Sequence, residues 1–226
     1  MRNRFVQYCR NNLTFDVNGY EYYPSLALCA LDASFSARTT YQSVINVLDR
    51  FCQWANHNGV QLRFEHQPEC YPAIAQITVS EIIHLLGGQD AESLADIVNN
   101  HSKVARRLKA GLFLDLLNVF HGFRIETYQD FQEQFNNQDI ADAILELRGV
   151  GSATFSYLYL LAGNPNDVKV DVCIRRFSTE ATGVNNLTDL QIRELFIYAA
   201  GIISQEHHGL TAAHLDHIAW NYQRGQ

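Results

Sequence analysis

The stretch IADAILELRGVGSATFSYLYLLAGNPNDVKVDVCIRRF, from Ile140 to Phe177, holds the residues whose types and spacing could do chemistry. At its centre Leu147-Arg148-Gly149-Val150-Gly151 separates two segments of apolar helical periodicity. Two glycines one residue apart permit a tight turn with unusual backbone angles, and no side chain shields the peptide. The amides of Ser152, Ala153 and Thr154 then open the second helix, where the first N–H groups lack intrahelical acceptors and carry partial positive charge. That end suits a phosphate oxygen, although a purely structural turn between helices reads the same way. About twenty residues further on, Asn164-Pro165-Asn166 breaks the helix and Val168-Lys169-Val170-Asp171 leads into another. Asp171 stands where that helix begins. A carboxylate there stays ionised and can oppose a developing positive charge; it can equally serve as a plain N-cap.

Other groups offer less. Ser102-Lys103-Val104-Ala105-Arg106-Arg107-Leu108-Lys109 places four cations within seven residues, on the first turns of a helix expected to run from Ser102 to about Phe120. Such a patch either tracks phosphates or forms a solvated helix face. His207, His208, His214 and His217 are the densest histidine group, and His214 and His217 have helical i, i+3 spacing. No third ligand follows at a metal-site spacing, so hydrogen bonding is the default. Phe15, Tyr20, Tyr22 and Tyr23 could stack on an extruded base or pack in a core. Cys9, Cys29, Cys52, Cys70 and Cys173 are odd in number, widely spaced and without a CxxC pair. This argues against a cysteine-built zinc or iron–sulfur site and against a secreted disulfide framework.

The elements that must position these groups are helical. Apolar spacing predicts helices over Pro24 to Ala33, Tyr41 to His57, Val79–Leu86, Ala91–Asn99 behind Asp90, Tyr128–Phe135, Ile140–Leu147 and Val172–Thr179. Thr188 caps a helix over Leu190–Glu206, and Thr211 caps one reaching Tyr222. No strand hairpin stands out, so the fold class is all-α with about ten helices. Residues 1–226 read as one compact helical unit that admits division into two lobes. The net charge of −7 speaks against a generic non-specific nucleic-acid binder but leaves room for a local basic footprint. No signal-peptide core and no apolar run of membrane-spanning length occurs, which predicts a soluble, intracellular chain without a membrane partner.

Leu147-Arg148-Gly149-Val150-Gly151, the apolar helix after it, Val170-Asp171 and Arg175-Arg176 together resemble the helix-hairpin-helix DNA glycosylase superfamily, which includes endonuclease III. The resemblance is specific over roughly forty residues, with the motif itself at 140–162, and extends loosely to His214-Leu215-Asp216-His217-Ile218-Ala219-Trp220. It implies a two-lobed helical fold that binds double-stranded DNA and turns a damaged nucleotide out of the stack. Gly149, Val150, Gly151, Ser152, Ala153 and Thr154 would grip the backbone, helped by Lys103, Arg106, Arg107 and Arg175. Asp171 would assist loss of the base. Members that also cleave the strand carry a lysine where this chain has Ala153, so the implied activity is that of a monofunctional glycosylase. Lys169 is the nearest substitute amine. The cysteines of the iron–sulfur branches are missing after Cys173, so no cluster is expected and no cofactor is required. A structural sodium or potassium ion on the carbonyls of Leu145, Leu147 and Val150 carries over, because it needs backbone alone. The alternative is a catalytically silent DNA- or partner-binding module in which Asp171 is only a cap. Cytoplasmic placement, or association with the nucleoid in a bacterium, follows from either reading; the residues name no protein partner and no particular lesion.

Overall fold

Small polar residues set most of the helix boundaries. In the computed structural model, which describes residues 1–15, 22–64 and 71–225, Ser25, Thr78, Asp90, Thr127, Asn137, Asp171, Thr188 and Thr211 each accept a backbone N–H from the turn they open. Each such cap satisfies one of the donors that a helix start leaves over, worth about 1 kcal/mol. In chain order the helices are α1 (Arg2–Asn12), α2 (Leu26–Phe35), α3 (Tyr41–His57), α4 (Val79–Leu86), α5 (Ala91–Ile97) and α6 (Lys109–Gly122). They continue as α7 (Tyr128–Glu133), α8 (Gln138–Glu146), α9 (Ser152–Leu161), α10 (Val172–Thr182), α11 (Asp189–Ile203) and α12 (Ala212–Arg224). Among the described residues the fold is mostly helical, with one short antiparallel ribbon, β1 (Lys103–Val104) and β2 (Arg107–Leu108).

The chain divides into two units, Met1–Tyr20 with Gly163–Gln226, and Glu21–Ala162. In the larger unit α2 is buried along its whole length and packs against α6 and α9. Its core joins Leu26, Leu28 and Leu31 to Phe51, Phe113, Phe120 and Phe131. One carboxylate lies inside this core: Asp32 accepts the hydroxyls of Tyr23 at 2.8 Å, Tyr157 at 3.2 Å and Ser36 at 2.7 Å. Three donors offset the cost of burying that group. In the smaller unit α1 packs on α10 and α11, and α12 on α10 and α11. Phe5, Phe177 and Phe196 meet there with ring centroids 5.1–6.0 Å apart.

Two expectations are corrected. Ser102 opens no helix; Lys103 to Leu108 form the ribbon, and the helix begins only at Lys109. Ala105 and Arg106 close the ribbon with φ of 48° and 64°, the left-handed pair that a tight hairpin demands and that Asn-Gly would supply more easily. Lys109 does not lie on a solvated face either. It is 2% exposed and its Nζ donates to the Phe35 carbonyl at 3.0 Å, capping the C-terminal end of α2, while burial pushes its pKa down. The helix α1 is absent from the sequence-based reading, because only Phe5, Val6 and Cys9 mark its buried face. The aromatic group before α2 is divided: Tyr23 belongs to the core of the larger unit, Phe15 stacks 4.7 Å from His207 in the smaller one, and Tyr20 lies outside the described residues. Cys70 also lies outside them. Among the described residues no helix is long and apolar enough to cross a membrane.

Candidate functional site

The turn between α8 and α9 is built on one glycine, not two. Val150 N–H donates to the Leu147 carbonyl at 3.0 Å, and Gly149, third in this four-residue turn, has φ of +107°. A side chain there would be strained by the backbone alone. It would also collide, since a Cβ on Gly149 would stand 2.9 Å from Val104 Cγ1. Gly151 differs. It is the N-cap of α9 with φ of −111°, an ordinary extended conformation, and open space lies where its Cβ would be. What Gly151 leaves clear is the approach to the amides of Ser152, Ala153 and Thr154, with Gly151 and Ser152 exposed.

The ribbon packs onto this turn. Val104 covers Gly149, and Arg107 donates to the Arg148 carbonyl at 3.4 Å while holding Asp115 at 2.6 Å. Lys103 and Arg106 remain exposed, as does Arg148. Thus the structure joins the basic segment to the glycine turn, though by a ribbon rather than a helix. Arg107 is committed to holding the two together. Leu145, Leu147 and Val150, the carbonyls carried over for a monovalent cation, lie at the end of α8 and in the turn. A helix end leaves its last carbonyls without intrahelical partners, and Leu147 keeps a second lone pair beside its bond to Val150, so the donor type fits a hard cation.

Asp171 belongs to the other unit. It is the N-cap of α10 and half-buried. Its Oδ1 accepts the Ile174 N–H at 3.0 Å, and its Oδ2 accepts the indole N–H of Trp220 at 3.2 Å. Arg224 lies over the Trp220 ring, its guanidinium carbon 4.5 Å from the centroid. The carboxylate is therefore held at both oxygens, and each oxygen retains a lone pair. Lys169 is half-buried on the chain entering α10. Arg175 pairs with Asp189 and donates to the Leu187 carbonyl, so it braces the start of α11 against α10. Exposed Val172 follows Asp171 directly.

Sequence reasoning passed over the partners on α12. Asp216 and Trp220 stand one turn apart there, and Asp216 is 5% exposed. Its Oδ1 is buried and has no hydrogen-bond partner. Burial first, and then the charge of Asp171, holds this carboxyl well above the usual carboxylate range. The i, i+4 spacing was visible, but nothing in it pointed to Asp171.

The histidines have local duties. His214 Nδ1 meets the Thr211 hydroxyl at 2.7 Å, and His217 Nε2 meets Asn221 at 2.9 Å. Among the described residues no three His, Cys, Asp or Glu side chains gather as a metal group. A Ser80, His121 and Glu126 cluster looks like hydrolytic machinery but is a cap. Both the N–H and the hydroxyl of Ser80 donate to Glu126, at 2.7 and 2.6 Å, at the start of α4. The serine proton is thus directed to the carboxylate rather than to His121.

A search of curated proteins returns no match to this chain. One family model, described as Domain of unknown function (DUF8548), matches residues 3–224, almost the full length, and the chain belongs to that family.

Proposed function

We propose that this protein is a DNA-binding base-excision enzyme of the helix-hairpin-helix glycosylase type, a monofunctional N-glycosylase that uses Asp171. The observation that carries the reading is the double anchoring of Asp171, by Ile174 from its own helix and by Trp220 from α12. A carboxylate fixed in this way needs no reorganisation to face positive charge on a sugar as the bond to its base breaks. The C1′–N bond parts with its electron pair on the base, and water supplies the oxygen at C1′ with Asp171 orienting it. Ala153 offers no amine, so no Schiff base forms there, and Lys169 is the nearest alternative.

The partner is double-stranded DNA. Gly149, Val150, Gly151, Ser152, Ala153 and Thr154 contact a phosphate through backbone, with Lys103 and Arg106 adding charge; Arg107 and Arg175 contribute by bracing. A sodium or potassium ion on Leu145, Leu147 and Val150 would supply positive charge at the same turn. No iron–sulfur cluster takes part, and the site of action is intracellular.

A second reading is supported by the Ile174 bond itself, which makes Asp171 a complete N-cap and is compatible with a DNA-binding module without activity. Duplexes bearing uracil, oxidised or alkylated bases, incubated with wild type and Asp171→Asn and then treated with alkali, decide between the two. Breaks at the lesion with wild type alone support the enzyme. Equal absence of breaks, with salt-dependent binding retained, removes the glycosylase and leaves the module.

A further inference from the structure

The net charge of −7 falls on the larger unit, because the smaller one, Met1–Tyr20 with Gly163–Gln226, carries eight Lys or Arg against eight Asp or Glu. Within the smaller unit these charges are not evenly matched. Arg2 pairs with Glu194, Arg10 with Glu206, Arg175 with Asp189 and Arg193 with Asp167. Arg176 makes no ion pair among the described residues, although it is exposed and Glu180 stands one turn further along α10. The Oε2 of Glu180 instead accepts Gln223 at 2.7 Å and Tyr8 at 3.4 Å.

Arg176 also shares its face of α10 with the residue beside Asp171. Val172 is 73% exposed, follows Asp171 directly and stands one turn before Arg176, so the two project together. From α12 the exposed Arg224 lies over the indole that donates to Asp171. Lys169 precedes Asp171 by two residues. The charges of Arg176, Arg224 and Lys169 all bear on the Cys173 thiol, which agrees with this gathering of cations. We infer that Arg176 is a phosphate contact of the smaller unit, made beside Asp171 by an exposed guanidinium outside the unit's ion pairs, with Arg224 and Lys169 adding positive potential. The matching chemistry is that of a nucleic-acid backbone. A guanidinium binds two oxygens of one phosphate, and clustered cations attract a polyanion. A nucleotide whose sugar meets Asp171 brings its own phosphates to this face. The contact expected of Arg175 passes to its neighbour, because Asp189 and the Leu187 carbonyl already occupy Arg175.

The Arg176 contact rests on DNA binding, the first half of the proposed function, and not on base release. Fluorescence anisotropy with an undamaged duplex at several salt concentrations tests it in the full-length protein, with unfolding curves on the same preparations. Arg176→Gln should leave the thermal midpoint near wild type, weaken binding to all sequences alike and reduce the salt slope by about 1. Arg176→Lys keeps the charge and should keep the slope. Arg175→Gln should lower stability slightly, through loss of Asp189, and leave the slope as it is. A wild-type slope in Arg176→Gln overturns the inference, and so does a slope lost in Arg175→Gln in its place. Failure of the wild type to bind duplex would remove the DNA reading and this contact together. A reduced slope in Arg176→Gln, with no base release by the wild type, would remove the glycosylase and leave the contact standing.

Discussion

Trp220 donates its indole N–H to Asp171 across 3.2 Å, tying α12 to the N-cap of α10. The two are separated by 49 positions in the chain, and one of them is also a helix cap. This bond separates the two roles of Asp171. Capping uses Oδ1 and Ile174; the indole bond uses Oδ2 and serves no helix end.

Substitutions at Asp171 can therefore be graded. Asp171→Asn keeps the cap and should leave the thermal midpoint close to wild type while abolishing base release. Asp171→Ala removes the cap and should lower stability by about 1 kcal/mol in chemical denaturation. Trp220→Phe keeps most of the aromatic bulk but deletes the donor, at a cost of about 1–2 kcal/mol, and should reduce base release as well. Full base release by Asp171→Asn would exclude the carboxylate from the chemistry.

The two glycines of the turn should respond in opposite ways. Gly149→Ala forces a side chain onto φ of +107° and into Val104, so it should destabilise the protein by about 1–3 kcal/mol. Gly151→Glu meets open space and should change stability by less than about 0.5 kcal/mol. It places a carboxylate at the start of α9, however, and should weaken duplex binding roughly tenfold at low salt. Unfolding curves and fluorescence anisotropy on the same preparations check both. Unchanged affinity in Gly151→Glu would argue that α9 meets no phosphate.

How much of this was legible depended on whether the signal was local. Thr78, Asp90, Thr188 and Thr211 sit directly before apolar periodicity, and a cap acts within one turn, so the helix starts they govern could be read within a residue or so. The ribbon could not. Its strands are two residues long, and Ala105-Arg106 lacks the Gly or Asn that announces a left-handed turn. A run of cations likewise conceals that Lys109 is buried while Lys103 is not, since composition carries no depth. The Asp171 neighbourhood was half visible. Asp171 itself follows a helix break, but Trp220 reaches it through packing of α10 on α12, which no spacing rule encodes.

The strained tip of the ribbon offers a trade between stability and binding. Ala105 and Arg106 each hold a left-handed conformation that costs a residue with a Cβ about 1 kcal/mol relative to glycine. Ala105→Gly should therefore stabilise the protein by up to about 1 kcal/mol with DNA affinity unchanged. Arg106→Gly should stabilise it similarly but weaken binding to all sequences alike and reduce the salt slope by about 1, as loss of one phosphate contact requires. Titrations at several salt concentrations measure this. An unaltered slope in both Arg106→Gly and Lys103→Gln would remove the ribbon from the interface.

Stability should also depend on pH through Asp216, and the sign is fixed by linkage. With its folded pKa raised, Asp216 stays protonated in the native state after the unfolded chain has lost that proton. The native state then binds more protons than the unfolded one, so stability falls as pH rises from the ordinary aspartate range to the folded pKa. Below that window the group has no effect on the slope. Above it the loss is complete and constant. Asp216→Asn imitates the neutral acid and should flatten this part of the curve, leaving the variant more stable than wild type at mildly alkaline pH. Lys109 adds a slope of the opposite sign at higher pH, because its lowered pKa makes the folded protein release a proton that the unfolded chain retains. Thermal midpoints across pH 4–9 (about the range buffers cover without acid unfolding) therefore test Asp216 in a window where Lys109→Met should change the curve least. A wild-type profile parallel to that of Asp216→Asn would mean that Asp216 is already ionised in the native protein.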